Sequence, residues 1–142
     1  MLRVANSGGA VLLTGHTEED AEMLLLCNQT KRLKSDALAV RYHGSSTSST
    51  RAFVRAVHPT LALIPAGYAN RYGFPKPGVV ARHHEQAIPL VGAGTHGALS
   101  VDVDPISGVT LHAGYRQNHS HYWTTRPIDP SSKQASIGLK IF

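Results

Sequence analysis

Between residues 41 and 53 the chain reads RYHGSSTSSTRAF: an imidazole, a glycine and then six consecutive hydroxyl side chains at positions 45–50. Two kinds of chemistry fit such a stretch. His43 has the donor atom of a metal ligand or a general base, and a second histidine, His16, stands directly after LLTG. Imidazoles delivered from neighbouring strand ends can share a zinc ion. A catalytic zinc, however, takes three protein ligands and a water, and two histidines supply only part of that set. The hydroxyls and backbone N–H groups before a helix suit phosphate oxygens. They equally suit plain helix capping, worth about 1 kcal/mol.

Other candidates are weaker. GAGTHG (92–97) matches G-x-G-x-x-G, but ALSVDVD follows and reads as a strand, whereas a dinucleotide fingerprint opens a helix; it reads as a turn. His119 and His121 form H-x-H without a third ligand at suitable spacing, and read as a solvated edge. His83 and His84 are adjacent on an expected helix, so they cannot face one site. Cys27, the one cysteine, excludes an internal disulfide and reads as packing at the end of an apolar helix.

The elements that must position these residues follow from the hydrophobic pattern. AVLLTG (10–15), DALAVRYH (36–43) and TLALIPAG (60–67) are short apolar runs that predict buried strands. EEDAEMLLL predicts a helix with acids in its first turn, and Thr17, three residues before Asp20, makes a near capping box. TRAFVRAV predicts a helix with Ala52, Phe53, Ala56 and Val57 on one face. YANRYGFPKPG reads as a loop, and GVVARHHEQA as a short helix with Pro77 in its first turn. Strand–helix alternation is the mark of an α/β layered domain. From Ile88 onward IPLV, GALSVDVD and GVTLHAGY predict short closing strands, and residues 127–142 lack periodicity and read as a tail.

With 142 residues and 42% hydrophobic content, the chain is long enough for one domain core. Its longest apolar run, LALIPAGYA, is far short of a membrane span, so the chain by itself is expected to be soluble. Net charge is +5, with four Lys/Arg against five Asp/Glu in residues 1–36 and ten against four in the remainder. That asymmetry is compatible with a polyanion partner.

LLTGHTEEDAEMLL, DALAVRYHGSSTSSTRAFVRAVHP, AGYANRYGFPKPGVVAR and HYW, in that order, resemble the C-terminal half of the metallo-β-lactamase-like domain of ComEC-type DNA-internalization competence proteins. The resemblance covers residues 1–126. It implies half of an αββα sandwich, a mixed sheet with flanking helices, in a parent anchored in the inner membrane that passes single-stranded transforming DNA. It also implies a divalent metal, zinc or manganese, in the complete domain, where a metal-bound hydroxide would attack a phosphodiester. At the metal positions this chain departs from the family pattern. The H-x-H-x-D-H motif is absent, His16 stands where T-G-D has its aspartate, Tyr42-His43 replaces a histidine pair, and Phe74 replaces the histidine of G-H-P.

The expectation is therefore a degenerate segment of a DNA-uptake protein without nuclease activity of its own. His43 and His16 are its remnant metal edge, and Arg41, Ser45, Thr47, Arg71 and Lys76 its phosphate contacts. Its partners would be DNA and either the rest of a ComEC-like protein or a second copy covering an exposed sheet face. The alternatives are a metal-dependent phosphodiesterase completed by oligomerisation or by a separate N-terminal half, and a small basic protein-binding module.

Overall fold

A computed structural model describes residues 1–15, 19–112, 114–119 and 121. His16, Thr17 and residues 122–142, the 127–142 tail among them, lie outside the described residues. The architecture is mixed α/β: a five-stranded sheet flanked by helices, with a separate two-stranded hairpin.

The chain enters through a hairpin of β1 (Leu2–Asn6) and β2 (Gly9–Leu13), paired antiparallel. Asn6 closes its turn, its side-chain oxygen accepting from Gly8 N–H at 2.7 Å. Helix α1 (Glu19–Leu33) leads to β3 (Ala37–Ala39), α2 (Arg51–Val57) to β4 (Leu61–Ile64), and α3 (Pro77–His84) to β5 (Leu90–Gly92). Strands β2 to β5 are parallel neighbours in sequence order. A single-turn helix α4 (Ala93–His96), the hairpin β6 (Val101–Asp104)–β7 (Gly108–Leu111) and a short α5 (Tyr115–Asn118) follow. Asp36 ties three strands together where they begin. Its carboxylate accepts from Ala10 N–H, and its carbonyl from Thr60 N–H and hydroxyl.

Because strands are added in one direction, crossovers of one hand put every connecting helix on the same face of the sheet. The core lies there. Leu12 and Leu38 pack with Leu33, Phe53 and Val57, and Val40, Ala62, Ile64 and Leu90 pack with Val54 and Val79. The pairing register places Leu2, Val4, Val11, Leu13, Ala37, Ala39, Leu61, Leu63 and Val91 on the opposite face. All nine are apolar; Ala37 is fully buried, Val11, Ala39, Leu61, Leu63 and Val91 are half-buried, and Leu2, Val4 and Leu13 are 58%, 52% and 42% exposed.

Several expectations are corrected. The strand expected over 36–43 ends at Ala39, and Arg41–Gly44 form a 3-10 turn, with His43 and Gly44 at φ +55° and +86°. The strand over 60–67 stops at Ile64, before Pro65. GAGTHG includes one helical turn, too short to seat a dinucleotide pyrophosphate. On α2, Val54 is buried and Ala52 exposed, which rotates the apolar face by one position. Cys27 is exposed and contributes no packing to the core.

Candidate nucleic-acid interface

The C-terminal ends of β3 and β4 release the two loops that carry most of the candidate residues, and in layered α/β folds this edge is where sites assemble. The loop of residues 41–50 is held from below by charged side chains. Glu22, fully buried on α1, accepts from Ser49 N–H at 2.8 Å and Thr50 N–H at 2.9 Å, and pairs with Arg41 at 3.0 Å. Arg82, from α3, donates to the carbonyls of Ser46, Ser48 and Ser49 at 2.9–3.1 Å. Thr50 caps α2 by accepting from Phe53 N–H at 3.2 Å.

This arrangement overturns two expectations. Arg41 is 1% exposed and engaged with Glu22, so it is an internal counter-ion and not a phosphate contact. Removing one partner of such a pair costs about 3–5 kcal/mol, because the other charge stays buried. The start of α2 is not open to phosphate either. The Glu22 carboxylate already occupies the anion seat formed by the Ser49 and Thr50 amides.

The second loop, 67–76, is closed by Asn70. Its side chain donates to the carbonyls of Gly67 and Phe74 and accepts from Phe74 N–H at 2.9 Å. The loop leans on its neighbour: Lys76 N–H donates to the Gly44 carbonyl at 2.8 Å, and a Cβ on Gly44 would lie 2.6 Å from that of Pro75. Gly44 is required both by this approach and by its positive φ. His43, Ser49 and Ala69 also hold left-handed backbone conformations, a concentration of unfavourable geometry common at functional loops.

The two loops therefore gather His43 and Lys76 about Phe74, with Arg71 joined through Tyr72. His43 Nδ1 hydrogen-bonds to the Pro65 carbonyl, and its ring stacks on Phe74 with centroids 6.5 Å apart. Phe74 stacks on Tyr72 at 5.6 Å, the Arg71 guanidinium lies 4.7 Å over the Tyr72 ring, and Lys76 Nζ is 5.4 Å from the Phe74 ring. Lys76 also donates to the Tyr72 carbonyl at 2.7 Å. Ser45 is half-buried, its hydroxyl 3.5 Å from that of the exposed Thr47. Tyr72, Glu22 and Arg82 were not singled out from sequence, and Phe74 was noted there only as a lost histidine. A lone acid among EMLLL was the available signal for Glu22.

As a metal centre the cluster does not fit. Among the described residues no three His, Cys, Asp or Glu side chains gather to hold an ion, and His16 lies outside them. His43 is the ligand-type side chain of the loop cluster, surrounded by rings, hydroxyls and cations. Separately, His83 is fully buried on α3, and burial pushes its imidazole below the usual range against the opposing effect of its Val79 hydrogen bond. Among the described residues no helix is long and apolar enough to cross a membrane.

No family model matches the chain. Curated proteins do. It is 33% identical over 129 residues to Competence protein ComA of Neisseria gonorrhoeae, covering 91% of this chain and 18% of that protein. It is 29% identical over 99 residues to ComE operon protein 3 of Bacillus subtilis, covering 70% and 13%. To the uncharacterized protein YcaI of Escherichia coli it is 28% identical over 133 residues, covering 91% and 17%. Similarity across most of its length thus links the chain to competence-associated proteins, and the chain spans less than a fifth of each of these relatives.

Proposed function

We propose that this chain is a DNA-contacting segment of a ComEC-like uptake protein, without nuclease activity of its own. The observation that carries the reading is the loop cluster at the ends of β3 and β4. Arg71, Lys76, Ser45 and Thr47 stand on two mutually braced loops, in a chain similar to competence-associated proteins. These residues would act on phosphate, and so hold DNA without reading its sequence. Among the described residues the cluster offers His43 as its metal-ligand side chain, and hydrolysis by a metal-bound hydroxide needs more ligands than that.

The partly exposed apolar face supports the finer reading of the fold as one half of a metallo-β-lactamase-like sandwich. In that reading the face is covered by the rest of a parent protein held in the inner membrane, or by a second copy of the chain.

Binding of a fluorescent oligonucleotide as a function of salt tests the proposal. Log K should fall linearly with log salt, and Arg71→Ala and Lys76→Ala should each reduce the slope by about 0.7–0.9. Slopes unaffected by both variants would overturn the phosphate contacts. Stoichiometric zinc or manganese together with phosphodiester cleavage, both lost in His43→Ala, would establish the hydrolase in place of the non-catalytic segment.

A further inference from the structure

Phe74 stacks with both Tyr72 and His43, at 5.6 Å and 6.5 Å between ring centroids, and the Arg71 guanidinium lies 4.7 Å over the Tyr72 ring and donates to its hydroxyl. The rings are nearly parallel, at interplanar angles of 20° and 22°. The inner end of this stack is anchored, since Phe74 packs against the core and His43 Nδ1 is engaged by the Pro65 carbonyl. Its outer end is open to solvent: Arg71 is exposed and Tyr72 is 55% exposed. The Tyr72 ring and the Arg71 guanidinium held over it have already given up much of the freedom that stacking costs, so together they are preorganised for one more flat partner. Lys76, tied to the Tyr72 carbonyl, places an ammonium group alongside. Phe74 also walls an apolar cavity of about 300 Å³ with Ile64, Ala66, Pro75, Thr95 and the exposed Tyr68. That volume is at the lower limit for seating a small ligand group.

We propose that this stack is a platform for unpaired nucleobases: one base extends the series at Tyr72 and Arg71, and its neighbour sits in the cavity beside Phe74. The ligand class is single-stranded nucleic acid. Aromatic and guanidinium planes flanked by cations are what unpaired strands use, while paired bases in a duplex keep their faces covered. The inference rests on the phosphate-contact reading above and deepens it, adding base stacking to backbone contact.

The experiment compares three probes of equal length at one salt concentration: oligo-dT, an abasic strand, and a duplex. Each is measured with the unaltered chain, Tyr72→Leu and Tyr72→Phe. Tyr72 is exposed and its loop is closed by Asn70, so neither change touches the core. The expected result is that oligo-dT binds about tenfold or more tightly than the abasic strand and than the duplex, that Tyr72→Leu removes this advantage, and that Tyr72→Phe keeps it. Equal, salt-dependent binding of oligo-dT and the abasic strand would overturn the platform and leave the phosphate reading standing. An advantage that survives Tyr72→Leu would also overturn the platform. Absence of binding to all three probes would overturn both.

Discussion

The His83 ring is enclosed on α3, hydrogen-bonded through Nδ1 to the Val79 carbonyl at 2.9 Å, and its Nε2 has no hydrogen-bond partner among the described residues. Burial disfavours the imidazolium, and the nearby Arg82 and His84 act in the same direction, while Glu22 opposes them weakly. The folded pKa therefore lies below the unfolded value of 6.5, and the unfolded chain takes up a proton first as pH falls. Stability contributed by neutral His83 is present above about pH 6.5 and lost progressively below it. Thermal melts between pH 7.5 and 5 should show the midpoint falling, and His83→Leu should flatten that decline. The carboxylates held low by their neighbours, Glu85 beside Arg51 and Asp104 beside the Ser107 and Ile106 amides, lose their contributions only at more acid pH. A decline unaltered by His83→Leu would rule out this residue as its source. Nothing in the sequence HHEQ distinguishes His83 from His84. One is fully buried and the other exposed because α3 turns about 100° per residue against the sheet.

At the scale of the element, the braced loops depend on Gly44. A methyl group there would meet Pro75 at 2.6 Å, on a backbone at φ +86° that L residues rarely adopt. Gly44→Ala should cost about 1–3 kcal/mol in denaturant unfolding and part the two loops. It should therefore weaken oligonucleotide binding more than Arg71→Ala does. Full stability and unaltered binding in this variant would show that the loops do not rely on the contact. The strands β2, β3 and β4 were legible as continuous apolar runs bounded by turn residues, and the capping of α2 as a hydroxyl before an apolar period. Strand β1 was not legible. LRVAN alternates weakly, and all five of its residues are exposed, so its pairing comes from the hairpin and not from burial. The 3-10 turn at Arg41 was hidden for another reason: its cause is Glu22, nineteen positions earlier and on a different element.

For the whole molecule, the decisive feature is the direction of strand addition. Sequence order across the sheet puts the core on one face and leaves an apolar surface on the other. A surface of this kind binds apolar dyes and promotes association. The purified chain should enhance the fluorescence of anilinonaphthalene sulfonate, and Val4→Lys combined with Leu13→Glu should reduce that signal. Since both positions are about half exposed, the loss of stability should stay near 1 kcal/mol. Undiminished fluorescence in the double variant would place the dye-binding surface elsewhere. The pattern of apolar runs showed that strands would be buried, but not how unevenly the two faces of the sheet would be covered. That follows from topology, which local periodicity does not record.

The contacts around the interface close on themselves. Lys76 bonds to Gly44 and begins α3; α3 carries Arg82; Arg82 returns to the carbonyls of Ser46, Ser48 and Ser49, five residues or fewer beyond Gly44. Mechanically this is a truss. If a strand binds as proposed, a load on Lys76 would travel along the helix and come back to the Ser/Thr loop as tension, coupling the two loops.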